Sequence, residues 1–230
     1  MSEKFIWGTA TAAYQIEGAA FAGYTVHLHD VDESRLIDGK NRLFQQMNKY
    51  ISKGIIAAAQ FEQAKEQLLF EASLPKAVQH ADLVIEAIVE DLALKKELFQ
   101  KLDLLAPPHA ILATNSSMIV SSMLANDTNR PDKVCNMHFF NPVFIMSVVE
   151  VVQGEHTSEE TAQQAVDFVK ALQKTPLHLK KEITGFIANR ILGKIMDEAM
   201  YLLEEGTCRQ RCSFCGKRRC SVLGGLFKQF

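Results

Sequence analysis

From residue 21 to residue 206 the apolar and polar positions change period repeatedly, and each change marks an element. Thr25-Val26-His27-Leu28-His29 alternates polar and apolar side chains at the period of a strand and stops at Asp30. Leu36, Leu43, Met47, Tyr50 and Ile51 then recur at roughly helical spacing, which predicts a helix over 34–53 that Gly54 ends. A second helical stretch covers 57–69. Residues 81–89 are almost continuously apolar, the pattern of a strand covered on both faces. Asp91 opens a helix that runs to 105, where Pro107-Pro108 ends it. The apolar run 110–114 predicts another buried strand, leading into the polar turn Asn115-Ser116-Ser117. Residues 134–140 and 148–152 read as two further strands. Ser158 caps a helix running to 172, with Glu159 and Glu160 placed where the helix dipole favours acid. A short strand over 177–179 and a long helix over 186–205 complete the pattern.

Strands and helices alternating in this way predict an α/β fold with a doubly wound, mostly parallel sheet. Such sheets bind ligands beyond the carboxyl ends of their strands. Asp30, Glu90, Ser117 and His138 all fall at or just past predicted strand ends, so the fold collects on one edge residues that lie far apart in the chain.

The chemistry concentrates in His138-Phe139-Phe140-Asn141-Pro142 and in Glu150 within Val148-Val149-Glu150-Val151-Val152. A carboxylate buried in a valine-rich strand is costly without a partner. A histidine on the neighbouring strand supplies one. Glu150 then holds one imidazole nitrogen of His138 and leaves the other as a general base. Ser117 stands in a polar turn, where most serines only cap or turn the chain. Asn189, in Gly185-Phe186-Ile187-Ala188-Asn189-Arg190, is a poor helix former placed in a helix, which fits either a solvent-facing or a ligand-facing amide. Lys95 and Lys96 follow Glu90-Asp91, and a solvated charged helix face is their default reading. Asp30 sits where dinucleotide-binding units place the acid that holds the adenosine ribose, although a strand-ending or capping Asp reads equally well. About 20 residues upstream of such an acid a glycine loop is expected. Gly8-Thr9-Ala10-Thr11-Ala12-Ala13 offers G-x-A-x-x-A, with alanine where the backbone should approach a pyrophosphate.

Composition narrows this little. The 230 residues, 47% hydrophobic and 23% charged, suit one medium domain, alone or with a fragment of a second. A net charge of -2 gives no reason to expect nucleic acid, and no apolar run reaches membrane-spanning length. The start, Met1-Ser2-Glu3-Lys4-Phe5, lacks the basic and apolar regions of a signal peptide, which leads to the expectation of a cytoplasmic protein. From Thr207 onward the pattern breaks: the segment has no Asp or Glu, six basic residues and four cysteines. Cys208-x3-Cys212-x2-Cys215 looks like the cluster motif of radical S-adenosylmethionine enzymes, and Cys220 adds a possible four-thiolate zinc site. Because charge balance and periodicity change together at Thr207, a tail read out of frame or spliced on is the favoured account, and no metal site is assigned.

From Ala20 to Gly206 the chain resembles the 3-hydroxyacyl-CoA dehydrogenases, most closely the bacterial 3-hydroxybutyryl-CoA type. The resemblance rests on Ala22-Gly23-Tyr24-Thr25-Val26-His27-Leu28-His29-Asp30, Glu86-Ala87-Ile88-Val89-Glu90-Asp91, Ala113-Thr114-Asn115-Ser116-Ser117, His138 to Pro142, Val149 to Val152, and Gly185 to Arg190, in that order. It implies a Rossmann-like sheet followed by a truncated C-terminal helical domain, NAD as cofactor, an acyl-CoA substrate and, in the family, a homodimer whose dimerising domain is largely missing here; the alternative is a nucleotide-binding remnant without turnover. It also implies roles. His138 takes the proton from the 3-hydroxyl, Glu150 orients His138, and Ser117 and Asn189 bind the substrate oxygen or the thioester region. Asp30 holds the ribose, and Glu90, Lys95, Asn115 and Gly8 line the NAD site. The domains implied are an N-terminal segment 1–19, a cofactor-binding domain 20–184, the first helix of a C-terminal domain 185–206 and the tail 207–230. Phe5-Ile6-Trp7-Gly8-Thr9-Ala10-Thr11-Ala12-Ala13-Tyr14-Gln15-Ile16-Glu17-Gly18-Ala19 resembles instead the N-terminal signature of family 1 glycoside hydrolases, but the paired carboxylates that chemistry needs have no motif later in the chain.

Overall fold

The computed structural model describes residues 5–9, 18–141, 143 and 145–206. The chain divides into two units, residues 1–184 and 185–230.

The first unit is built on one eight-stranded sheet. Its strands are β1 (Phe5–Thr9), β2 (Thr25–His29), β3 (Leu68–Glu71), β4 (Leu83–Glu86), β5 (Ile111–Thr114), β6 (Val134–Phe139), β7 (Val148–Val152) and β8 (Thr175–Leu179). Their order across the sheet is β3-β2-β1-β4-β5-β6-β7-β8. Neighbours from β3 through β6 are parallel, β7 is antiparallel to β6, and β8 is parallel to β7. Chain order reverses at β1, which pairs with β2 on one side and β4 on the other. A reversal of this kind opens a crevice at the carboxyl ends of the strands.

Every residue of β4, β5 and β6 is buried, which accounts for the nearly continuous apolar runs of β4 and β5 and makes Asn136 and His138 buried polar groups of β6. Successive side chains alternate between two cores. Ile85, Ala113 and Met137 join the one containing Leu43, Met47 and Phe61. Val84 and Leu112 join the other, with Phe99, Leu102 and Leu124. Leu43, Met47, Phe99 and Leu102 are fully buried, and each such side chain contributes about 1.5–3 kcal/mol by leaving water. The helices that contribute to these two cores are α1 (Glu33–Ser52), α2 (Ala58–Glu66), α3 (Leu74–Val78), α4 (Leu92–Leu105), α5 (Ser122–Ala125) and α6 (Glu159–Ala171). Helix α1 begins at Asp32, whose carboxylate accepts from the Ser34 and Arg35 amides at 2.8 and 3.4 Å. In α4 the Asp91 carboxylate does the same for Leu94 at 3.0 Å. Among the described residues no helix is long and apolar enough to cross a membrane.

Several sequence expectations change here. The helix expected over 57–69 ends at Glu66, and Leu68–Glu71 forms the edge strand β3, paired with Val26–His29. The strand expected over 81–89 is shorter and ends at Glu86, so Glu90 lies in the following loop. The strand expected at 177–179 begins at Thr175 and holds Pro176, which an edge strand tolerates. Phe5–Thr9, expected in a segment 1–19 separate from the cofactor domain, is a central strand of this sheet, with Gly8 opposite Leu28 and Ile85.

In the second unit the helix α7 (Ala188–Glu204) starts two residues later than the pattern predicted. Gly185 and Phe186 both have positive φ, +77° and +48°, so neither continues a helix backwards. Residues 10–17 and 207–230, which hold most of the atypical loop and the four clustered cysteines, lie outside the described residues.

Candidate active site

The antiparallel junction of β6 and β7 sets His138 directly opposite Glu150. The imidazole Nδ1 lies 2.8 Å from Glu150 Oε2, and the two side chains are 6% and 0% exposed. An ionised carboxylate only accepts hydrogen bonds, so Nδ1 carries the proton and donates. The other nitrogen, Nε2, is then an acceptor, and Ser117 Oγ lies 3.0 Å from it. Phe140 meets the imidazole edge-on, with ring centroids 4.8 Å apart and planes at 67°. Ser117, His138 and Glu150 therefore form a line in which the basic Nε2 faces the serine hydroxyl.

The turn carrying Ser117 is tied to a buried charge pair. Glu86, at the end of β4, is fully buried. Its Oε1 accepts from Lys95 Nζ at 2.6 Å and from the Ile88 amide at 2.6 Å. Its Oε2 accepts from Thr114 Oγ1 at 2.7 Å. Thr114 Oγ1 in turn accepts from the Ser116 amide at 3.2 Å. The Ser116 hydroxyl donates to Glu90 and accepts from the Ile119 amide at 2.7 Å. Glu90 also accepts from the Met118 amide at 3.1 Å and lies 3.6 Å from Lys95 Nζ. Burial opposes the charge on Glu90, but the Ser116 hydroxyl, the Met118 amide and Lys95 together outweigh it and hold its carboxyl below the ordinary range. Asn115 fixes the next strand: its Oδ1 accepts from the Phe139 amide at 2.8 Å, one residue beyond His138.

Asp30 lies apart from this cluster. It lines a cavity of about 350 Å³ beyond the ends of β2 and β4, with Val31, Arg35, Ile88, Val89 and Leu94. One of its oxygens accepts from the Asp32 amide at 3.0 Å. The cavity's size suits a small ligand, and largely apolar walls with Asp30 at the end of β2 suit an adenosine.

Of the residues singled out from sequence, His138, Glu150 and Ser117 meet directly, and Asn115, Glu90 and Lys95 support them. Lys95 does not lie on a solvated face as the charge pattern suggested: its side chain is 1% exposed because Glu86, Glu90 and the Ile88 carbonyl neutralise and bind its ammonium. Lys96, at 39% exposed, bridges to Asp127 at 2.9 Å. Gly8 is the last residue but one of β1. Asn189 occupies the first turn of α7 in the second unit, where asparagine costs less than in a helix interior. Sequence reasoning missed Glu86 and Thr114. The signal was present for Glu86: it interrupts an apolar run as Glu150 does.

A family model, "3-hydroxyacyl-CoA dehydrogenase, NAD binding domain", matches residues 9–183. The chain belongs to this family. A probable 3-hydroxybutyryl-CoA dehydrogenase of Bacillus subtilis is 38% identical over 191 residues, covering 83% of this chain and 66% of that protein. Human mitochondrial hydroxyacyl-coenzyme A dehydrogenase is 39% identical over 193 residues, covering 82% and 61%. The chain thus spans less than two thirds of either relative. The crystal structure of 3-hydroxybutyryl-CoA dehydrogenase from Escherichia coli superposes with a TM-score of 0.86 at 30% identity, covering 92% of this chain and 45% of that one. The family's Rossmann-like fold is the sheet described above, with its reversal at β1.

Proposed function

We propose that this chain oxidises a 3-hydroxyacyl-CoA, of short acyl chain such as 3-hydroxybutyryl-CoA, to the 3-oxoacyl-CoA with NAD. One observation carries the reading: the buried His138–Glu150 pair, with the Ser117 hydroxyl 3.0 Å from Nε2, presents a basic nitrogen at the edge of a dinucleotide-binding sheet. Asp30 would hold the cofactor's adenosine ribose in the cavity beyond β2 and β4, with Gly8 leading into the phosphate loop. NAD, when bound, supplies the acceptor for the hydride that leaves C3 of the substrate.

The chain's residues do the rest. His138 Nε2 takes the proton of the 3-hydroxyl, so that proton and hydride leave the same carbinol and a carbonyl forms. Glu150 holds Nδ1–H throughout and stabilises the imidazolium once Nε2 is protonated, as a buried acid does for any histidine base. The Ser117 hydroxyl, now 3.0 Å from Nε2, occupies hydrogen-bonding distance of the nitrogen the substrate oxygen must reach, and it can turn to donate to that oxygen instead. Asn189 belongs to the same proposal as a donor to the substrate, supported by the family resemblance of Gly185 to Arg190. Burial of the pair keeps water from competing for the proton.

The test is consumption of NADH by the purified chain with acetoacetyl-CoA, the reverse reaction, beside the His138→Ala variant. Turnover that the variant loses supports the reading. Equal turnover in both would remove His138 from the chemistry, and a folded chain that binds NADH without turnover would overturn the catalytic proposal.

A further inference from the structure

Glu86 and Thr114 touch nothing that reacts, yet they bridge the two loops that frame the site. We propose that Thr114 is a positioning residue, through which the buried Glu86–Lys95 pair fixes the Ser116–Ser117 turn against His138; the proposal rests on the reading of His138 as the base.

The geometry is a relay with each step satisfied. Glu86 spends one carboxylate oxygen on Lys95 and Ile88, both from the β4–α4 side, and the other on the Thr114 hydroxyl of β5. With its single proton committed to Glu86, the Thr114 oxygen has its lone pairs turned to the Ser116 amide. Ser116 is then oriented so that its own hydroxyl closes on Glu90, which the same Lys95 ammonium attracts. The turn is thus held at its first amide by Thr114 and at its hydroxyl by Glu90, and both holds trace back to Lys95. Ser117, the next residue, is thereby placed with its hydroxyl 3.0 Å from Nε2. A hydroxyl is the one small group that can donate to a carboxylate and accept from an amide at once. This explains a threonine, rather than the valine that β-strand burial would favour, at a position with no exposure.

The experiment compares Thr114→Val, which keeps shape and removes the hydroxyl, with Thr114→Ser, which keeps the hydroxyl. It reads NADH oxidation with acetoacetyl-CoA, NADH affinity, and hydrogen–deuterium exchange at the Met118 and Ile119 amides. Neither amide bonds to Thr114 itself, so both report on the turn. In Thr114→Val, kcat falls by about tenfold to a hundredfold while NADH affinity stays within about twofold, as expected of a misplaced catalytic turn. Exchange at Met118 and Ile119 speeds up by about tenfold, with α6 amides at wild-type rates. Thr114→Ser restores both readouts. Wild-type kcat in Thr114→Val overturns the proposal, and so does a lower kcat with unchanged exchange. A wild-type chain without turnover fails the proposed function alone; exchange then decides this proposal, and unchanged rates at Met118 and Ile119 overturn it. If Thr114→Val loosens α6 as well, Thr114→Ala against Thr114→Ser makes the same comparison, since those two variants differ by the hydroxyl alone.

Discussion

His138 and Glu150 face each other across the only antiparallel junction among the described strands, with 2.8 Å between Nδ1 and Oε2. The register alone determines which residue stands opposite the imidazole, and a slip of one residue would turn Glu150 to the other face. Glu150→Gln keeps the shape and removes the charge. An amide NH2 that donates to Nδ1 forces the proton onto Nε2, where the base should be free. We predict a fall in kcat of about 10²–10⁴-fold with an unchanged melting temperature, since a neutral amide is cheaper to bury than a carboxylate. Steady-state kinetics and a thermal melt check both, and a kcat within about threefold of wild type would exclude the orienting role.

Asp30 gives the second prediction. One of its oxygens is held by the Asp32 amide and the cavity lies before it, so the carboxylate is oriented before any ribose arrives. Replacing it with alanine removes a charge-assisted acceptor worth about 1.5–3 kcal/mol, roughly a ten- to hundredfold loss in NADH affinity. Because the site is separate from His138, kcat at saturating cofactor should change little. A fluorescence titration of NADH that shows the same affinity for Asp30→Ala would disprove the assignment.

The Glu86–Lys95 pair makes a third prediction, on stability. Both side chains are essentially unexposed, 0% and 1%, and 2.6 Å apart. Removing one partner strands the other charge out of water. Lys95→Met should therefore cost about 3–5 kcal/mol in urea unfolding, and the double variant Glu86→Leu/Lys95→Met should recover much of that loss. Strictly additive losses would show that the two charges are not coupled.

These predictions draw on residues that differ in how readily they were read. β4 and β5 were legible because strands buried on both faces show as nearly unbroken apolar runs, whereas β6 carries Asn136 and His138 within its apolar residues. β3 was not: Leu68, Leu69 and Phe70 follow α2 directly and extend its apolar pattern, and only pairing with Val26–His29 makes them a strand. The His138–Glu150 pair was legible because a lone acid in a valine strand demands a partner. Lys95 was misread because its partner Glu86 sits on a different element, and a charge pattern along one helix says nothing about what packs over it. The central strand β1 was not legible: Phe5–Thr9 is short, and only its pairing with β2 and β4 makes it part of the sheet.

Cys135 carries the last prediction. It lies on β6 opposite Ala113, fully buried, and burial pushes its thiol from 9.0 up to about 12. In the unfolded chain the thiol ionises near its ordinary value, so between those two values the folded state binds more protons than the unfolded one. The contribution to stability is thus fully present below about pH 9 and is lost as pH rises toward 12, at about 1.4 kcal/mol per pH unit. Other groups that titrate in this range, chiefly lysines and tyrosines, are common to wild type and Cys135→Ala. The difference between the two proteins therefore isolates the thiol. At neutral pH the alanine variant should be less stable by about 1 kcal/mol, the cost of a small cavity. By about pH 11 the order should reverse, because only the wild type has lost the thiol's contribution. Urea unfolding of both proteins at neutral and alkaline pH measures this directly. Parallel stability curves would mean that Cys135 ionises in the folded protein as freely as in the unfolded one, which a fully buried thiol cannot do without water entering the core.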